Sequence, residues 1–137
     1  MNRRDFQQLA LARLAEAECL INNGHYSGAY YLCGYAVECA LKAGIAKLTR
    51  LHDFPDKKRT LDSYTHDLNT LLIAADLKAA LDKEAARDKA FRDYWLTVKA
   101  WSEQSRYQTS SESEARNLYQ AVTDSKHGVL RWIRKEW

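Results

Sequence analysis

Between Gly28 and Ile45 the chain carries only two charges, Glu38 and Lys42, in a stretch that otherwise alternates small residues with tyrosines and aliphatics. The surrounding segment, HYSGAYYLCGYAVECALKAGIAKL (25–48), is free of proline and keeps helical spacing. A helix that is apolar on nearly every side has to be covered on several of them, which puts this one at the centre of a helical bundle. Its two charges are four residues apart with the carboxylate first, the favourable order for an ion pair on one face. A buried helix that retains such a pair either anchors a polar network or presents a site.

The rest of the chain supplies helices to cover it. Phe6, Ala10, Leu14, Ala17 and Ile21 recur at three- and four-residue steps, and Asn23-Gly24 is a helix stop, so a first helix is expected over about 3–22. The second follows over about 25–49, and so short a connection makes the two antiparallel neighbours. TRLHDFPDKKRTLDSYT then reads as a long loop (50–64) around Pro55. A third helix begins near Thr65 with Asp67 in its first turn and breaks around Lys78–Lys83. A fourth covers about 84–104, with Phe91, Tyr94, Trp95, Val98 and Trp101 on one side. After a polar loop, Ser111 and Glu114 form a capping box for the last helix. No strand pattern and no internal repeat is present. The expectation is a single all-α domain over 1–137, an up-and-down bundle of four to five helices.

Composition agrees with a globular chain: 46% hydrophobic and 28% charged residues, a single proline, and a net charge of +3. That charge is too mild to announce a nucleic-acid-binding domain by itself. The three cysteines, at 19, 33 and 39, have no metal-type spacing, and MNRRDFQQ leads straight into an amphipathic pattern. Reduced, buried thiols in a cytoplasmic protein are expected. Glu38 and Lys42 interrupt any window long enough to span a membrane. The sequence has no glycine-rich phosphate loop and no His/Cys/Asp metal constellation, so neither cofactor nor metal is expected.

At this point the residues carry a likeness. AYYLCGYAVECALKAGIAK resembles the second-helix signature of the HEPN family: small and aromatic residues, Ala-Val-Glu, then Leu-Lys. Thr65-His66-Asp67-Leu68 with Leu71-Leu72 resembles the start of that family's third helix. Trp101 followed by Ser105-Arg106-Tyr107 resembles its Trp…Arg-Tyr segment before the last helix. The likeness extends from about Leu9 to Ile133. It implies a bundle similar to the substrate-binding domain of aminoglycoside nucleotidyltransferases, a homodimer, and a nucleotidyltransferase or antitoxin as partner. RNA or a nucleotide is the implied ligand, held near Glu38, Lys42, Arg106 and Tyr107. It also suggests Arg106 as the partner of the Glu38 carboxylate.

Ribonucleases of that family place a His four to six residues after an Arg, and the chemistry is sound. Imidazole serves as general acid–base at the ribose 2′-hydroxyl and leaving group, and guanidinium stabilises phosphoryl charge. Here Arg106 is followed by Tyr107, Gln108, Thr109, Ser110, Ser111 and Glu112, with no His in range. A displaced catalytic pair, Arg106 with His127 across the bundle, is the alternative to a pure binding module. Other polar groups read more plainly. His66 and His25 fall at helix starts as capping or solvent-facing residues. Asp124, His127 and Arg131 form an outward stripe on the last helix, and Lys57-Lys58-Arg59 is solvated loop surface. Tyr30, Tyr31 and Trp137 are expected as exposed aromatics suited to an interface.

Overall fold

The computed structural model describes residues 1–51 and 57–137. Its described residues are helical, without strands. The first two helices, α1 (Arg3–Asn22) and α2 (Tyr26–Leu51), match the expected bounds closely. Asn2 starts α1 with a capping box closed by Asp5, and Gly24 ends it at φ 78°, a left-handed conformation that suits glycine.

Helix α2 is the hub. It touches α1, α4 (Leu68–Ala74), α7 (Glu112–Thr123), α8 (Val129–Ile133) and a 3-10 helix over Glu103–Tyr107. The six residues Ala36–Leu41 are all buried in succession, which no helix lying against a single neighbour would show. Leu71 and Leu72 of α4, Phe91 and Val98 of α6 (Lys89–Lys99), Leu118 and Val122 of α7 and Ile133 of α8 complete the core around it.

The later helices are more broken than their periodicity suggests. The expected break at Lys78–Lys83 lies instead at Ala75–Leu77, and α5 (Lys78–Arg87) runs through the expected gap. Asp76 takes φ 60°; its own N–H bonds the Ile73 carbonyl (2.9 Å) and that of Leu77 the Leu72 carbonyl (3.1 Å), the paired bonds of a Schellman ending. Aspartate is one of the few non-glycine residues that enters this region readily.

The expected helix over 84–104 is divided as well. Asp88 leaves helical geometry and caps α6, accepting from the Phe91 N–H (3.2 Å). The chain then turns into the 3-10 helix. The capping box of Ser111 and Glu114 is present on α7. The helix expected to be the last one stops at Thr123 as α7, where the Asp124 carboxylate accepts the N–H groups of Lys126 and His127, both at 2.8 Å. That turn brings Gly128 so close to the Asp124 backbone that any Cβ would collide with it, and α8 starts afresh at Val129. Asp124, His127 and Arg131 therefore do not share one helix face, which corrects the stripe expected there.

Of the 50–64 loop, residues 57–62 form a short helix, α3 (Lys57–Asp62); Pro55 lies outside the described residues. Lys57 and Lys58 are exposed, as expected of a solvated basic run, with Lys58 paired to Asp62 (2.8 Å) on the surface, whereas the half-buried Arg59 donates its Nε to the Ala74 carbonyl (3.0 Å) at the end of α4. Tyr30, Tyr31 and Trp137 are partly buried against the core, not exposed as expected. Among the described residues the large exposed aromatics are Tyr64 and Tyr107.

Candidate functional site

Two features of α2 build the site. The first is Gly34. The Trp101 indole lies against its backbone so closely that a Cβ there would overlap three ring carbons. Trp101 is buried, stacks on Tyr31 (centroids 6.1 Å), and lies two residues past the end of α6, just before the 3-10 helix. The glycine slot thus fixes where Glu103 and Arg106 emerge. Ser105, between them, is buried, while Arg106 and Tyr107 face solvent.

The second feature is Glu38, one turn further along α2 and only 2% exposed. A buried carboxylate requires partners. Its Oε1 receives the Lys42 ammonium at 3.0 Å, as the spacing predicts, and lies 2.9 Å from His66 Nδ1. Its Oε2 has no hydrogen-bond partner among the described residues. His66 is held in reach because Asp67, the next residue, caps α4 by accepting from the Thr70 N–H (2.7 Å).

From His66 the network continues outward. Its Nε2 lies 3.3 Å from Glu103 Oε2, and the same oxygen is 3.9 Å from the Arg106 Nη2. In a 3-10 helix, side chains three residues apart eclipse, which is why Glu103 and Arg106 meet. The Arg106 guanidinium also lies over the Tyr107 ring, 5.0 Å from its centroid, a cation–π contact. Both His66 contacts with carboxylates are donor contacts only when the ring carries two N–H groups, because a carboxylate solely accepts.

Arg106 is therefore not the direct partner of Glu38. Lys42 and His66 take that place, and Arg106 is reached through His66 and Glu103. The 3-10 geometry turns its side chain outward, where it is 46% exposed. His127 is not brought to Arg106 either. It bridges the α7–α8 turn to the α5–α6 break, with Nδ1 2.7 Å from Asp88 Oδ2. That bond holds the Asp88 carboxyl below the usual carboxylate range, and the His127 and Lys126 N–H groups do the same for Asp124.

Sequence reasoning missed His66 and Glu103 as members of the site. Thr65-His66-Asp67 was legible as a helix start, but nothing in its spacing tells that the ring reaches a carboxylate 28 residues earlier. Glu103 had one available signal, its position three residues before Arg106.

Beside the network, Lys42 also lines an open cleft of about 490 Å³ with Phe6, Ile45, Thr49, Ser63 and Tyr64. Among the described residues no cluster of His, Cys, Asp and Glu is arranged to hold a metal ion, and no helix is long and apolar enough to cross a membrane. The buried Cys33 and Cys39 thiols are pushed up by desolvation, to about 12 and about 11, and serve as core side chains.

An all-α bundle organised on one buried helix, with an ionic chain leading from that helix to an exposed Arg-Tyr pair, defines the class. The family model for the HEPN domain matches residues 4–135, nearly the whole chain, and the protein belongs to that family. No curated protein and no solved structure matches it.

Proposed function

We propose that this protein is a HEPN binding module that holds single-stranded RNA or a nucleotide at Arg106 and Tyr107. The observation that carries the reading is the guanidinium poised over an exposed aromatic ring, on a turn rooted in the core. An exposed ring offers a stacking face to a base, and a guanidinium offers donors to the phosphate beside it. Lys42, His66 and Glu38 form the polar base on which that turn rests. A homodimer, and a nucleotidyltransferase or antitoxin partner, belong to the same proposal.

The second reading is a metal-independent endoribonuclease. The Glu38–His66 pair favours it, since a buried carboxylate orients the imidazole so that its outer nitrogen, beside Glu103, faces the solvent-exposed side near Arg106, where it can transfer a proton. His66 would replace His127 in that role.

Binding of a labelled single-stranded oligoribonucleotide, followed by fluorescence anisotropy, tests the first reading. Arg106→Ala and Tyr107→Ala should each weaken it by about tenfold, the size expected for one stacked base or one phosphate contact. Equal binding by wild type and both variants would refute the site. Incubation of the same RNA with wild type and His66→Gln separates the two readings. Cleavage that disappears in the variant selects the nuclease.

A further inference from the structure

We infer that the Glu103 carboxylate occupies the position of a phosphate group, held between His66 and Arg106 until an anionic ligand displaces it. The inference rests on the reading of Arg106 as an RNA or nucleotide contact, and it adds which atoms take the phosphate and what must leave first.

Three observations support it. One carboxylate oxygen, Glu103 Oε2, is approached by two cation-type side chains from separate elements, His66 before α4 and Arg106 on the 3-10 helix. Convergence of a ring N–H and a guanidinium on one anionic oxygen is the arrangement by which proteins hold phosphate. The Glu103 carboxylate lies beside these groups, at ion-pair rather than hydrogen-bond distance from Arg106, and supplies the negative charge there in the unliganded protein.

The contacts are also graded in strength. Inside, Glu38 is 2.9 Å from His66 and 3.0 Å from Lys42, ordinary distances for charge-assisted bonds. Outside, Glu103 is 3.3 Å from His66 and 3.9 Å from Arg106, both long for such pairs. The inner carboxylate fixes the ring; the outer one is loosely held and easily exchanged. Arg106 has five N–H donors, and among the described residues it makes this one long contact and lies over the Tyr107 ring, which leaves most of its donor capacity for a ligand.

Exposure completes the argument. The side chains of His66, Glu103 and Arg106 are 45%, 32% and 46% exposed, so a ligand can approach without opening the bundle. Glu103 sits on a five-residue 3-10 helix whose fixed point is Trp101, and its side chain can swing to water while Arg106 stays in place. A phosphate monoester or the phosphodiester of RNA has the charge and the acceptor oxygens to replace it.

The test is titration calorimetry with inorganic phosphate, and anisotropy with the oligoribonucleotide, on wild type, Glu103→Gln and Glu103→Ala. Glu136→Gln, an exposed acid on the last turn, controls for the general loss of one negative charge. Both Glu103 variants should bind both probes about two- to fivefold more tightly than wild type, the size expected for removing one competing exposed ion pair. The gain should vanish when Arg106→Ala is added, and Glu136→Gln should not reproduce it. If wild type binds RNA through Arg106 but neither Glu103 variant binds more tightly, the displacement is wrong and the RNA-binding reading stands. If phosphate binding tightens while RNA fails to bind any variant, the anion position is supported and the RNA reading falls. A gain equal in Glu136→Gln would overturn the placeholder.

Discussion

Glu38 and His66 are 28 residues apart in the chain and 2.9 Å apart in the fold. Through them the most buried charge of the central helix is connected to the surface turn that carries Arg106. The pair ties α2 to the start of α4, so it belongs to the stability of the bundle as well as to its site.

Replacing Glu38 with alanine should therefore destabilise the protein. Removing one member of a fully buried ion pair costs about 3–5 kcal/mol; with Lys42 and His66 partly open to water, about 2 kcal/mol is expected here. Urea unfolding followed by circular dichroism measures it. A change below about 0.5 kcal/mol, the ordinary effect of a surface substitution, would show that the network is not structural.

Gly34→Ala should be harmful although alanine is the better helix former. The added methyl would occupy the space of the Trp101 indole, and overpacking of this kind costs about 1–3 kcal/mol. Trp101→Leu in the same chain should recover part of that loss, since the clash and the ring are one interaction. Additive losses in the double-mutant cycle would contradict the slot.

The three cysteines should divide one against two. Cys19 is exposed, whereas Cys33 and Cys39 are buried with their thiols pushed to about 12 and about 11. A chromogenic disulfide reagent near pH 8 should titrate one thiol rapidly in the native protein and three in denaturant. Rapid reaction of a second native thiol would contradict the burial.

Acid should weaken the joint between Asp88 and His127. The folded Asp88 and Asp124 carboxyls are held below their ordinary range, the first by the His127 side chain and the second by backbone N–H groups. Groups of this sign contribute fully above the unfolded carboxylate range, near about pH 4, and lose that contribution as pH falls through the lowered folded values. Melting temperature should decline over that interval, and less steeply in His127→Ala. Identical acid limbs for wild type and variant would rule the joint out as a source of stability.

The bundle was legible in the sequence because its strongest signals are local. The apolar α2, the Asn23-Gly24 stop and the Ser111–Glu114 capping box each depend on residues within one or two turns. Asp76 and Asp88 were harder, since each breaks a helix without interrupting the hydrophobic step around it. The site lay further from reach. Glu38 and Lys42 stood out because charge on an apolar helix is conspicuous, and Arg106 because of its family likeness. His66 joins them only through the packing of α4 on α2, a distance along the chain that no spacing pattern encodes.

The Gly34–Trp101 slot makes the two halves of the site unequal in their freedom to vary. Every side chain larger than hydrogen at position 34 moves the turn, so that position tolerates almost nothing. Glu103, Gln104, Arg106 and Tyr107 flank the buried Ser105 on a turn anchored by the Trp101 indole and bear little of the fold's weight. New ligand preferences can therefore be tried on the turn one residue at a time, at small risk to the bundle, as long as the glycine and the indole are left alone.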